Sequence, residues 1–279
     1  MRIIDDAAIG RAGAVRRRSE YDYTHFEYLR SAKILASIER GGGAIRGRVL
    51  DNGCGPGGTA LSIAEEAEFV VGLDLDARFR SGGTRFAREK GIANAAFVQG
   101  DGSRLPFPDA SFDLVLSHSV IEHVVEAERY FRECFRVLRP GGGLYLSTQP
   151  YLSLTGCHLP RLKVPIPIHL LLGRRAALAI FRFLARRAPW TLRDPRESNT
   201  WILLAEQGKP IPDSLAQRVT VTRVNRWAAT AGFRLLRQDL HLTGFFRRFV
   251  PGPLRRALAR TPGTQDVMIG HIECVLAKP

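Results

Sequence analysis

The sequence predicts an α/β fold in which a parallel sheet is covered by helices on both faces. Three observations predict it. Short apolar runs alternate with helical segments between residues 45 and 150. A glycine-rich loop stands where the first run gives way to the first helix. Acidic residues sit at the ends of successive runs, where open α/β sheets bind ligands.

The elements read in order. Residues 21–38 place Phe26, Leu29, Ile34 and Leu35 at helical spacing, and Gly41-Gly42-Gly43 stops that helix. Strands are expected at 48–50, 69–73, 96–99, 112–117 and 144–148, and helices at 58–66, 78–90 and 122–138. The alternation fails after Pro150. Residues 151–221 are rich in Pro and Arg, with one basic helical segment at 174–187. Order returns with a helix at 222–231 closed by Gly232, a strand at 233–239 and a last strand at 271–277. The expected organisation is a helical cap (1–44), a core (45–150), a lid insert (151–221), and the rest of the core (222–279) with a second insert at 241–268.

Composition narrows the class. The chain has 279 residues, 45% hydrophobic and 24% charged, which suits a packed globular core and excludes disordered and fibrous classes. Residues 1–150 hold 20 basic and 20 acidic side chains, whereas residues 151–279 hold 21 and 7, so the net charge of +14 lies wholly in the second half. Four scattered cysteines form no CxxC pair, which argues against a disulfide framework or zinc ribbon and for a reducing compartment. The apolar run 164–172 is broken by Pro165 and Pro167 and is far shorter than the ~20 residues of a span. The expectation is a cytoplasmic protein, with peripheral contact at a membrane surface as its one departure.

The loop Asp51-Asn52-Gly53-Cys54-Gly55-Pro56-Gly57-Gly58 lets the backbone approach a ligand closely at a helix N-terminus. Alone, Gly53, Gly55 and Gly58 match a pattern shared with NAD(P)-dependent oxidoreductases, the rival class. Asp74 ends the second strand 23 residues after Asp51, near the spacing of a ribose-binding carboxylate. Asp101-Gly102 follows the third strand, and Pro140-Gly141-Gly142-Gly143 precedes the fifth. Together with Leu105-Pro106-Phe107-Pro108-Asp109-Ala110-Ser111-Phe112-Asp113-Leu114-Val115, these motifs resemble the class I S-adenosylmethionine-dependent methyltransferases, type 11 group, over residues 45–150 and again at 222–239.

That resemblance implies a Rossmann-like, doubly wound, seven-stranded sheet with a C-terminal antiparallel strand and lid inserts. It implies S-adenosylmethionine as cofactor and S-adenosylhomocysteine as product. Gly53, Cys54, Gly55 and Gly57 would line the methionine and ribose, with Asp51 near the amino group. Asp74 would take the ribose hydroxyls, Leu75 and Gly102 would flank adenine, and Asp101 would accept from the adenine amine. Ser117 and His118 would face the transferred methyl. Tyr21 and Arg30, on the first helix, would close on the methionine carboxylate.

The remaining candidates are weaker. His118, His158 and His169 form the pool for a general base if the acceptor is a hydroxyl. Ser119-x-x-Glu122 reads as a capping box for the next helix, and no metal is expected. The segment 174–187 reads as a lid whose face with Leu178, Phe181 and Leu184 roofs the site, or as a basic amphipathic helix on an anionic membrane. The expected partner is a small acceptor, anionic or amphipathic, with a membrane lipid or prenylated quinone as the second reading. Nucleic acid is disfavoured, because the segment after the fourth strand, Ser117-His118-Ser119-Val120, lacks the motif of amino-methylating nucleic-acid enzymes.

Overall fold

The computed structural model describes residues 4–16, 18–153, 159–160, 162–164, 166–193, 200–208, 217–254, 258, 261 and 264–279. Two helices, α1 (Asp6–Val15) and α2 (Glu20–Arg40), precede the sheet. Then come β1 (Arg48–Asn52), α3 (Gly58–Ile63), β2 (Phe69–Asp74), α4 (Gly83–Lys90) and β3 (Ala95–Gln99). They are followed by β4 (Phe112–His118), α5 (Ala127–Val137) and β5 (Leu138–Thr148). The insert carries α6 (Ile168–Arg187) and α7 (Thr200–Glu206). The chain closes with α8 (Val221–Ala231), β6 (Arg234–Leu242), α9 (Gly244–Phe249), a short helix Thr264–Met268 and β7 (Ile269–Ala277).

The seven strands lie in the order β3-β2-β1-β4-β5-β7-β6. β1 to β5 are parallel, and β7 runs antiparallel to both β5 and β6. Strand order reverses at β1, between β2 and β4, and the crevice beyond that point is where open sheets take ligands. Period-two alternation then sorts the side chains. Leu114, Leu116, Tyr145 and Val275 face α2 and α3, with Ile34, Leu35 and Ile38. Val115, Leu144, Leu146 and Cys274 face α5 and α8, with Phe131 and Trp227.

Three elements depart from the sequence reading. The helix expected from residue 122 starts at Ala127, and Ser119 is not its cap: Ser119 has φ 57° and its N–H donates to Ser147 O, prolonging the β4–β5 pairing. Glu122 lies buried in a 3₁₀ turn, Ile121–His123, and accepts from Thr148 Oγ1 at 2.8 Å. The segment 78–90 is a 3₁₀ turn, Ala77–Arg80, followed by α4, with Gly82 pressed against Glu20 and Thr24 of α2. On α6 the apolar face of Ala177, Leu178, Phe181 and Ala185 packs with Tyr151, Leu192, Trp201 and Ile202. The face expected to roof the site is therefore taken up by a separate core within the insert.

Candidate active site

The glycine loop owes its path to backbone geometry. Gly53, Gly55 and Gly57 all adopt positive φ, at 98°, 54° and 93°, and Gly57 caps α3 in the left-handed region. A Cβ on Gly53 would overlap Val120, and one on Gly57 would meet the Phe97 ring at 2.5 Å. Arg78 stands over the loop, with Nη2 3.1 Å from where a Gly55 Cβ would lie. Cys54 is buried beneath, and burial raises its thiol pKa far above the usual range, so it packs and does not attack.

Asp51, next to last in β1, is buried within the protein. Burial, with Glu27 and Asp74 nearby, pushes its carboxyl up to about 8, although the Ala60 N–H donates to it. Its Oδ2 is buried with no hydrogen-bond partner among the described residues. A buried acceptor left in this way calls for a donor from a ligand, and a cationic one satisfies it best. Asp74 is organised differently. Its Oδ2 accepts from Gly55 N–H at 2.7 Å and its Oδ1 from Asp76 N–H at 2.9 Å, which fixes the carboxylate with further lone pairs outward. Leu75 beside it is 73% exposed, an apolar surface next to a polar anchor. Asp101 accepts from the Ser103 N–H and hydroxyl at 2.8 and 2.7 Å. Partial burial works against ionisation there, but the Ser103 bonds outweigh it and hold the carboxyl below its usual range. Gly102 meets Asn52 and Tyr130, and its carbonyl accepts from Asn52 Nδ2 at 3.2 Å.

On the α2 face of the sheet a polar seam runs from Asp51 across β4 and β5 to β7. His118 Nδ1 lies 2.6 Å from Ser147 Oγ, which also bonds the Tyr145 hydroxyl. His271 follows, its ring centroid 6.3 Å from that of His118. Glu273 Oε1 stands 3.6 Å from both His271 Nε2 and His241 Nε2, while its Oε2 accepts from Ser37 of α2 at 2.6 Å. Burial holds His271 below the usual histidine range, so the imidazole is neutral near pH 7. Arg30 enters from α2, its guanidinium 5.2 Å from the Phe26 ring centroid, with Nε buried and unbonded among the described residues.

Three expected site residues lie elsewhere. Ser117 is fully buried on the opposite face, accepting from the Tyr130 hydroxyl at 2.8 Å, because β alternation turns residue 117 away from residue 118. Tyr21 bonds Glu89 and lies under Arg85, which commits it to the outer surface of α4. His169 is built into the insert core, with Nε2 donating to Ser153 O at 3.0 Å, and burial lowers its pKa. His158 lies outside the described residues. Sequence reasoning missed Arg78, His271 and Glu273, and read Glu122 only as part of a capping box. His271 and Glu273 reach the seam through strand pairing between distant segments, and Arg78 reaches the loop from the turn after β2. Among the described residues, no group of three or more His, Cys, Asp or Glu is arranged to hold a metal ion.

Residues 50–146 match the family model described as a methyltransferase domain. The chain is 36% identical over 123 residues to the uncharacterized methyltransferase YcgJ of Bacillus subtilis, covering 42% of this chain and 49% of that protein. It is 30% identical over 148 residues to the ubiquinone biosynthesis O-methyltransferase of Sodalis glossinidius, covering 52% of this chain and 59% of that one. The chain thus spans about half the length of these curated relatives. Among solved structures it resembles an S-adenosylmethionine dependent methyltransferase from Mesorhizobium loti, with TM-score 0.53 at 20% identity over 87% of this chain and 96% of the other. At that identity the likeness is one of fold.

Proposed function

From the methyltransferase domain at residues 50–146, we propose that this chain transfers a methyl group from S-adenosylmethionine to a small-molecule acceptor. The observation that carries the reading is the buried Asp51 Oδ2 on β1, which has no hydrogen-bond partner among the described residues; Arg30 on α2, 3.9 Å from Glu27, likewise has a buried Nε without one. A ligand end bearing both an ammonium and a carboxylate, as an amino acid does, complements the two. Asp74 suits paired ribose hydroxyls, exposed Leu75 suits the face of an adenine ring, and the Asp101 carboxylate suits its amine. When bound, S-adenosylmethionine supplies an electrophilic methyl on a sulfonium sulfur. The protein then chiefly aligns the acceptor and excludes water.

For a hydroxyl acceptor, His118 is the base this geometry favours. In the tautomer that donates from Nδ1 to Ser147, Nε2 carries the lone pair that would take the acceptor proton as the O–CH₃ bond forms and the methyl's C–S bond breaks, its electron pair passing to sulfur. His169 is less suited, since it is buried within the insert, away from the glycine loop. A prenylated quinol is the second acceptor reading, supported by the similarity to the ubiquinone-pathway enzyme.

Two measurements test the proposal. Calorimetry with S-adenosylhomocysteine gives a saturable isotherm and NAD gives none; the reverse result removes the reading. Release of S-adenosylhomocysteine against a panel of phenols, amines and prenylated quinols then identifies the acceptor class. Arg30→Ala lowers S-adenosylhomocysteine affinity by roughly ten- to a hundred-fold, the scale of a lost charge-assisted bond. The same change leaves 5′-methylthioadenosine, which lacks the amino-acid end, within a factor of two or so. Equal losses for both ligands would show that Arg30 acts only through the fold.

A further inference from the structure

The insert exposes apolar side chains that its own core does not use. On α6, Arg175, Ala179, Phe183 and Arg186 recur at three- and four-residue spacing, opposite the buried face of Ala177, Leu178, Phe181 and Ala185. Leu172 stands before this stretch, at the break where Gly173 takes φ 74°, and Trp190 follows it in the 3₁₀ turn Pro189–Thr191. Leu172, Phe183 and Trp190 are 59%, 61% and 68% exposed. Within α6 there are five arginines and no acidic residue. No helix among the described residues is long and apolar enough to cross a membrane.

We propose that this outward face of α6 docks on a bilayer containing anionic lipid, with Phe183 and Trp190 seated at headgroup level and Arg175 and Arg186 against lipid phosphates. Alternation of apolar rings with arginines is what an interface between water, phosphate and hydrocarbon accommodates. Aromatic rings sit at headgroup depth, and arginines extend their stems along apolar surface while their guanidinium groups reach phosphate. A second copy of the chain is a poorer occupant. A two-fold contact through this face sets α6 against α6, bringing arginines toward arginines with no acid on either helix to neutralise them. The surface is independent of the methyl-transfer reading, since nothing in it touches the glycine loop.

Trp190 provides the reporter. The protein has three tryptophans, and Trp201 and Trp227 are buried. The full chain is mixed with vesicles of phosphatidylcholine alone or with about a third phosphatidylglycerol. It co-sediments with the anionic vesicles only, and its emission shifts to the blue. Arg175→Gln and Arg186→Gln each weaken binding roughly five-fold. Phe183→Ser weakens it by about ten-fold or more and leaves the thermal melt unchanged, as an exposed site requires. Three results overturn the proposal. They are absence of co-sedimentation at low salt, undiminished binding by Phe183→Ser, and a dimer in light scattering that Phe183→Ser splits. Co-sedimentation without a blue shift also counts against it, because charge alone would then hold the protein.

Discussion

Asp51→Ala abolishes most of the affinity for S-adenosylhomocysteine, with a loss of about 3 kcal/mol or roughly a hundred-fold, the scale for removing one partner of a buried charge pair. The acid residue is poised for a cation and for little else. In the free protein burial, Glu27 and Asp74 raise its carboxyl to about 8, so at pH 7 it is mostly protonated. Binding an ammonium favours the ionised form and expels that proton. Affinity therefore rises from pH 6 to about 8 and levels off above. Calorimetry at pH 7 in buffers of differing ionisation enthalpy shows a buffer-dependent heat, which Asp51→Asn removes. Equal heats across buffers in the wild type would mean the carboxyl is not what the ligand meets.

The same shift bears on stability, with a definite sign. A carboxyl whose folded pKa lies above its unfolded one stabilises the folded state below the unfolded value near 3.8, and that contribution is lost as pH rises toward about 8. The ligand-free wild type melts lower at pH 8.5 than at pH 5.5 through this group. Asp51→Asn flattens that difference, which isolates Asp51 from the protein's other carboxyls.

Gly58→Ala unfolds the protein more readily than any surface change, by about 3 kcal/mol. A Cβ there would overlap the Thr24 carbonyl oxygen and lie 2.7 Å from Glu27 Cβ and 2.8 Å from the Tyr28 nitrogen. Two of those obstacles are backbone atoms of α2, so no rotamer change relieves them. α2 must lift from α3, carrying Glu27 away from Asp51. A drop of about 8 °C in melting temperature follows for a chain of this size. Gly10→Ala is the control: Gly10 lies in α1 with open space around it, and alanine there raises stability by about 0.5–1 kcal/mol. If both variants melt alike, the close approach of α2 and α3 is not what Gly58 provides.

Much of the fold was legible in sequence. The strands through β5 were placed within two or three residues, except that β5 begins at Leu138 because the Pro140–Gly142 stretch joins the sheet beside β7. Glycines and acids at strand ends marked the crevice at the switch point of the sheet, since those positions follow from strand and turn chemistry alone. The capping box at Ser119 was misread for an instructive reason. Ser119 and Glu122 have the right types and spacing, but Ser147 and Thr148 of the neighbouring strand compete for them and win. Ser117 and His118 point to opposite faces, because β4 runs through His118 and alternation holds to its end.

The sequence by itself determined the sheet's parallel half, the glycine loop with Asp51 and Asp74, and the neutral and basic halves of the chain. These are local, because hydrophobic period and turn residues act over a few neighbours. Only the tertiary structure decided what α2 and β7 bring to the crevice. His271 and Glu273 come beside His118 and Ser147 through strand pairing across more than a hundred residues, and Ser37 of α2 bonds Glu273 there. It also decided which face of α6 is core and which is free. Both faces of that helix carry apolar residues, and periodicity cannot say which one Trp201 and Ile202 will cover. Two arginines of the basic second half, Arg175 and Arg186, acquire their place in the same way, on the uncovered side of that helix.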